Sequence, residues 1–393
     1  MPDARHRVAL VTSSFDPHVG GVEEHVRRLA IELRSQGHDV VVWTVDRGEH
    51  LGVRTVDGIL VRYLPTPLPS LSVTGMGRFV RVAPATWRAW REALRTDEPQ
   101  LLHVHCFGPN GVYAAALAQL TRTPLVVTSH GETFMDPAAF ASAVLLRRGL
   151  RYALRRAASV TGVSEVVLSD LRRRYGLVGG SVVPNGVPEL PPCPSAESGA
   201  PRAPDSDVPH SGAVILALGR LERVKGFDLL IEALPLVRSQ LPQTQLRLGG
   251  AGSQKSALVA LADRLGLSGA LTMLGELTPA QVAAEMDSAD VVVVPSRREA
   301  FGIVLLEAWR SGTALVATDR DGPADLVNDG ADGLLVDPMD QRALAAAIVR
   351  LLSDPAYAAS LATAGRARVA DFTWPAVVRA YDQVYAAARA SLP

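Results

Sequence analysis

A chain of 393 residues, 48% of them hydrophobic, exceeds what one hydrophobic core usually serves, so two domains are expected. Its 40 basic and 40 acidic residues cancel, and no basic run is interleaved with aromatics, which argues against an electrostatic grip on nucleic acid. Two cysteines, Cys106 and Cys193, offer neither a disulfide framework nor a metal-finger spacing, and a reducing, cytoplasmic location is compatible with them.

The N-terminal "RHRVALVTSSF" is too short in its apolar part for a signal peptide and reads as a first strand, 7–15; no apolar run of about 18 residues follows. Next comes an amphipathic helix, "VEEHVRRLAIELRSQG", with Val22, Val26, Leu29, Ala30 and Leu33 at helical spacing and Gly37 as its stop. Strands follow at 39–45, 101–106, 124–130 and 159–164, continuously apolar as in a parallel sheet covered on both faces. Residues 188–212 are rich in Pro, Ser and Gly and read as an interdomain linker. The alternation restarts with strands at 213–221, 245–252, 271–275, 290–296, 313–319 and 333–336. Two doubly wound α/β domains in tandem are implied. Ligands of such sheets bind beyond the carboxyl ends of the strands, so a cleft between facing domains is the expected site.

The residues with chemical potential fall at those strand ends. Asp16-Pro-His-Val-Gly20-Gly21 leads from the first strand into the first helix, and paired glycines there suit either a tight turn or a backbone approach to phosphate. They lack the full dinucleotide-binding spacing. His130 ends the strand "PLVVTSH" as a ligand-facing imidazole or as a hydrogen-bonded structural histidine. His103 and His105 share a strand face, but no third metal ligand stands at a sensible spacing.

In the second half, "GRLERVKG" places Arg220 and Lys225 in one loop, where a guanidinium and an ammonium could converge on a diphosphate. Lys225 and Lys255 are the sole lysines among the 40 basic residues, so a compact ammonium at 225 stands out. In "REAFGIVLLEAW", Glu299 belongs to a loop and the helix starts near Phe301-Gly302, leaving the N–H groups of Ala300, Phe301 and Gly302 as helix-start donors. Glu307 then lies inside an otherwise apolar helix. A carboxylate there is costly unless a sugar diol or an arginine satisfies it.

These four features, in this order, resemble the retaining, nucleotide-sugar-dependent glycosyltransferases of family 4, which have the GT-B fold. The match runs through E-x7-E at Glu299 and Glu307, Arg220 and Lys225, Gly20-Gly21, His130, "VPNGV", and the final "FTWPAVVRAYDQVYAAARA". The resemblance implies an α/β fold of two Rossmann-like domains facing across a cleft: an acceptor-side domain at 1–187, a donor-side domain at 213–372, and a last helix, 373–393, crossing back to the first. It implies hexosyl transfer from an NDP-sugar, UDP-sugar before GDP-mannose, to a hydroxyl acceptor. His130, Arg220, Lys225 and Glu299 would be the catalytic set. Gly20, Gly21, Arg220, Lys225, Glu299, Ala300, Phe301, Gly302 and Glu307 would bind the donor, with Glu307 on the ribose.

No cofactor or metal is expected; Asp319-Arg-Asp321 and Asp205-Ser-Asp207 look like the metal motif of the other glycosyltransferase fold but lack its context. Where relatives carry a Gly-Gly-Pro-Glu-type segment, this chain has Asp321-Gly-Pro-Ala-Asp325. Acceptor contacts are assigned to loops 46–80 and 131–145. The basic stretch 145–160 suits membrane contact or a solvated helix face, and the latter is favoured. A catalytically silent nucleotide-sugar-binding protein and a GT-B sugar-nucleotide epimerase are the alternative functions.

Overall fold

The computed structural model describes residues 5–18, 20–69, 72–135, 140, 143–188 and 212–390. The chain divides into two units, Met1–Gly186 with Trp374–Pro393, and Val187–Thr373. Most of the expected linker, including Cys193 and Asp205-Ser-Asp207, lies outside the described residues.

The first unit contains β1 (Arg7–Thr12), α1 (Gly21–Ser35), β2 (Asp39–Val45), β3 (Val53–Val56), β4 (Ile59–Leu64), α2 (Val73–Asp97) and β5 (Leu101–His105). It continues through α3 (Pro109–Thr121), β6 (Leu125–Ser129), the short α4 (Glu132–Met135), α5 (Val144–Arg156), β7 (Ser159–Gly162), α6 (Glu165–Tyr175) and β8 (Ser181–Val182). Its sheet has eight strands in the order β3-β4-β2-β1-β5-β6-β7-β8, with β3 antiparallel to β4 and the other pairs parallel. Two apolar clusters cover the two faces. One gathers Ala9, Val11, Trp43, Trp90 and Leu117; the other gathers Val8, Leu10, Leu29, Leu33, Tyr381 and Tyr385. Both faces are dry, so these strands are apolar at successive positions.

Residues 46–80 correct the sequence reading. They hold the β3–β4 hairpin and the start of α2, whose N-cap Ser72 accepts a hydrogen bond from the Gly75 N–H. The hairpin is short, and the largely exposed β3 is an edge strand, so its hydrophobic signal is weak. The first unit is completed by α14 (Trp374–Ala390). Tyr381 and Tyr385 of this helix are fully buried, and Tyr385 Oη pairs with His103 Nδ1 at 2.8 Å. A Cβ on Gly186 would lie 2.8 Å from the Trp374 ring, so only glycine lets the chain pass there.

The second unit holds β9 (Val214–Leu218), α7 (Phe227–Gln240), β10 (Gln245–Gly249), α8 (Lys255–Arg264), β11 (Leu271–Gly275), α9 (Pro279–Ser288) and β12 (Val291–Val294). After these come α10 (Ile303–Ser311), β13 (Ala314–Thr318), α11 (Asp321–Leu326), β14 (Leu334–Val336), α12 (Gln341–Ser353) and α13 (Pro355–Arg368). The six-stranded parallel sheet runs β11-β10-β9-β12-β13-β14. Among the described residues no single helix is long and apolar enough to cross a membrane. In α5, Leu150, Ala153 and Leu154 are buried in the first unit's core, while Arg151, Arg155 and Arg156 are exposed.

Strand order reverses at one place in each sheet, between β1 and β5 in the first and between β9 and β12 in the second. Adjacent strands there send their connections to opposite sides, which opens a crevice beyond their carboxyl ends. The loops after β1 and β5 carry Gly20-Gly21 and Cys106. Those after β9 and β12 carry Arg220, Lys225 and Glu299.

Candidate functional site

In the second unit the chain leaves β9 through Gly219, passes Arg220, makes a single 3-10 turn at Arg223–Lys225 and enters α7 at Gly226. Gly226 has φ 70°, and a Cβ there would sit 2.0 Å from the Pro295 carbonyl oxygen. Glycine therefore lets the β9 and β12 loops touch backbone to backbone. Lys225 exploits this proximity, its Nζ lying 2.5 Å from Glu299 Oε2, with side chains 19% and 10% exposed. Ser296 Oγ donates to the same carboxylate oxygen at 3.2 Å.

The Glu299 backbone is fixed as well. Its N–H donates to Asp321 Oδ2 at 3.3 Å, and its carbonyl accepts from the Gly322 N–H at 2.9 Å. Arg298 Nε holds the same Asp321 oxygen at 2.8 Å. Asp321, half of the apparent Asp-Arg-Asp metal motif, is thus committed to the Glu299 loop. Arg220 stands on the same loop as Lys225 and is exposed.

The helix carrying Glu307 begins at Ile303, with Gly302 as N-cap at φ 94°. This corrects the expected donors at 300–302. The first-turn N–H groups belong to Ile303 and Val304, Ala300 already has a partner, and both Ala300 and Phe301 are buried in the loop. Glu307 is half-buried and makes no hydrogen bond or ion pair among the described residues. Burial pushes its carboxyl up to about 7, against a weaker opposing influence from Arg310, one turn on. The arginine salt bridge that the sequence left open is therefore not formed.

In the first unit, His130 follows β6 and is half-buried, its Nε2 3.1 Å from His105 Nδ1. The half-buried Glu132 carboxylate fixes the turn, accepting from His130 N at 2.8 Å, Ser129 Oγ at 2.9 Å and Phe107 N at 2.9 Å. Burial raises its pKa, against those hydrogen bonds. Burial also holds His130 and His105 well below the ordinary histidine value and takes His25 down to about 4, so all three rings are neutral at pH 7. His103 joins the His105 ring on the same strand face, centroids 4.0 Å apart, and bonds Thr128 Oγ1 at 2.7 Å.

Gly20 caps α1 in an extended conformation, φ −172°, and Gly21 opens the helix. A Cβ on Gly21 would meet nothing within 4 Å, and one on Gly20 would meet only the Glu23 carboxylate tip. Neither glycine is required by its backbone angles; together they leave the helix entrance open.

The structure thus joins Lys225 with Glu299, sets Glu307 about one turn into the following helix, and keeps His130 in the other unit with its own partners. Sequence reasoning missed His25, Glu132 and Asp321 as members of these clusters. His25 and Glu132 give no local signal, because one sits on an ordinary helical face and the other is a single acid opening a four-residue helix.

Two Rossmann-like units, each with ligand-type loops at its switch point, have the make-up of the GT-B class. Residues 203–368 match the family model described as glycosyl transferases group 1, and residues 19–189 match that of glycosyltransferase family 4. The phosphatidyl-myo-inositol mannosyltransferase of Mycolicibacterium smegmatis is 31% identical over 379 residues, covering 95% of this chain and 91% of that protein. Sucrose-phosphate synthase from Thermosynechococcus elongatus superposes with a TM-score of 0.78 at 25% identity, covering 97% of this chain and 98% of that one. The Anabaena HepE protein in complex with UDP gives 0.75 at 22% identity, covering 97% and 99%. The chain belongs to the family 4 glycosyltransferases and is an enzyme of the hexosyl-transferring class.

Proposed function

We propose that this enzyme moves a hexosyl unit, with retention of anomeric configuration, from a nucleoside diphosphate sugar to a hydroxyl acceptor. The observation that carries the donor site is Glu307, a half-buried carboxylate with no hydrogen bond among the described residues, about one turn into the helix that follows the fixed Lys225–Glu299 pair. Two ribose hydroxyls would supply the donors it lacks. Lys225 and the exposed Arg220 then take the diphosphate. As the bond between sugar and diphosphate breaks, negative charge grows on the leaving phosphate, where preorganised cations contribute most.

Glu299 holds Lys225 in place and offers its other oxygen to sugar hydroxyls. It acts by position and charge, because retention in this reading comes from attack on the face the leaving group vacates. His130, neutral and held by Glu132 through its backbone, would contact the transferred sugar. Gly20 and Gly21 would admit phosphate to the open end of α1. Catalysis would need no metal, since the cationic side chains meet the leaving group.

A UDP-sugar is the first choice of donor, supported by the UDP complex of HepE, and GDP-mannose is second, supported by the mannosyl transfer of the M. smegmatis relative. Calorimetric titration with UDP, GDP, ADP and dTDP, with and without magnesium, tests this reading. One base preferred by tenfold or more, with the same affinity in either buffer, is the expected result. Absence of binding by all four would overturn the donor site.

A further inference from the structure

We propose that His25, His105 and His130 form a buried three-imidazole site for a divalent transition ion, zinc first, in the N-terminal unit. The three come from α1, the end of β5 and the end of β6, and their candidate ligand atoms lie within 4.8 Å of one another. Ring centres are 4.7 Å apart for His25 and His130, and 5.4 Å for each of the other two pairs. Imidazole nitrogens about 2.0–2.1 Å from a tetrahedral ion put neighbouring nitrogens roughly 3.4 Å apart and ring centres roughly 5 Å apart. The rings already stand at that spacing, and His105 Nδ1 and His130 Nε2 are 3.1 Å apart.

A second observation is independent of spacing. His25 Nδ1 and Nε2 and His105 Nε2 are buried and, among the described residues, make no hydrogen bond of acceptable geometry. Polar atoms left so are costly; an ion held by His105 Nδ1, His130 Nε2 and one nitrogen of His25 would satisfy that His25 atom, with His105 Nε2 carrying its ring's proton. Asn185 lies beside His25 as its one weak polar neighbour, with its own Oδ1 buried and likewise unsatisfied. That is where a ligating histidine usually sends its remote N–H. Metal entry requires the proton shared by His105 and His130 to move to ring nitrogens facing away, so the rings stay neutral and no proton is lost.

The other histidine cluster, His6, His38 and Asp382, is less suited. His38 Nδ1 accepts from the His6 N–H at 3.2 Å, and His6 Nδ1 faces the Arg389 guanidinium at 3.1 Å, a cation opposed to a second cation. His103 is occupied by Tyr385 and Thr128. Neutral nitrogen ligands without a carboxylate select zinc, cobalt or nickel over magnesium or calcium. An ion here would tie down His130, so the site is inhibitory if His130 contacts the sugar as proposed above.

The test uses the full chain, untagged and stripped with chelator, titrated with Zn2+ against a chromophoric competitor and with Co2+ by visible absorption. One equivalent bound at micromolar or tighter affinity is expected, with the intense visible bands of low-coordinate cobalt. Separate His25→Phe and His105→Phe variants should each weaken binding at least 100-fold, while Asp382→Asn should not. No uptake by the parent chain, or loss on Asp382→Asn with His25→Phe unaffected, would overturn the site. If the phenylalanine variants fail to fold by circular dichroism, His25→Gln replaces them, and the cobalt spectrum of the parent decides by itself. Neither measurement needs a nucleotide, so the outcome is separate from that of the donor-site titration.

Discussion

Lys225 Nζ lies 2.5 Å from Glu299 Oε2, across 74 residues of sequence, because β9 and β12 are neighbours and their loops touch at Gly226. The cation assigned to the diphosphate and the carboxylate assigned to the sugar therefore form one unit. Removing Lys225 strands a buried carboxylate. Lys225→Ala should destabilise the protein by about 2–4 kcal/mol, and adding Glu299→Ala should recover much of it, without recovering activity. Lys225→Arg should keep the charge yet lower turnover tenfold or more, since a broad planar fork does not replace a compact ammonium. Chemical denaturation and initial rates on the parent, Lys225→Ala, Glu299→Ala, the double variant and Lys225→Arg check both statements; additive stability losses would show that the pair is not coupled.

Glu307 and Glu299 should separate in kinetics. Glu307→Gln removes a ribose acceptor and should weaken nucleotide binding roughly 10- to 100-fold, about 1.4–2.7 kcal/mol, with little change in turnover at saturation. Glu299→Ala should instead lower kcat by roughly 100-fold or more while leaving nucleotide affinity within a few-fold. Matching, small effects from both would refute these roles.

The raised Glu307 carboxyl also has a pH signature. Its folded value is about 7 against an ordinary 4.5, so between those limits the folded protein keeps a proton that the unfolded chain has released. The folded state binds more protons there, and stability falls as pH rises through the window. Glu307→Gln abolishes this loss. Thermal melts should show the variant near its parent at pH 4.5 and more stable than it at pH 8; a constant offset at both would contradict the assignment.

Glycine at 226 is required by geometry. With φ 70° and a carbonyl oxygen 2.0 Å from the position of a Cβ, Gly226→Ala meets both backbone strain and overlap. It should cost about 3 kcal/mol or more and push the β9 and β12 loops apart. Gly21→Ala, where a Cβ meets nothing within 4 Å, should cost under about 1 kcal/mol. Similar melting temperatures for the two variants would refute the distinction.

The C-terminal helix is fastened to the first unit partly by Tyr385 and His103. Tyr385→Phe keeps the ring and leaves His103 Nδ1 buried without its partner, so a loss of about 1–3 kcal/mol is expected. Denaturant titration measures it, and a neutral result would mean that packing of α14 alone suffices.

The class of fold was legible because buried parallel strands are apolar without interruption and their helices carry Leu, Val and Ala at helical spacing. Ends were overestimated by one to three residues, as at 7–15 against Arg7–Thr12, since apolar character continues into loops packed under neighbouring elements. In the hairpin at 53–64, β3 escaped because an exposed edge strand has no hydrophobic signature, whereas β4, with Ile59, Val61, Tyr63 and Leu64 buried, carried a strand pattern that went unread. Arg220, Lys225 and Glu299 of the proposed donor site were named from their positions after strands, and Glu307 from its place in an otherwise apolar helix.

What the sequence determined by itself is the alternation of elements, the two-unit chain and the residue types at strand ends, all of which depend on neighbours within a few positions. Only the tertiary structure decided the partners. Strand order sets which loops meet, so it paired Lys225 with Glu299, engaged Asp321 behind Glu299, and left Glu307 without a hydrogen bond. It also brought His25 to His105 and His130, which lie 80 and 105 residues away in the chain. Burial, the other tertiary quantity, keeps those imidazoles neutral and raises the Glu307 carboxyl. No local pattern carries that information, because desolvation is set by everything packed around a group.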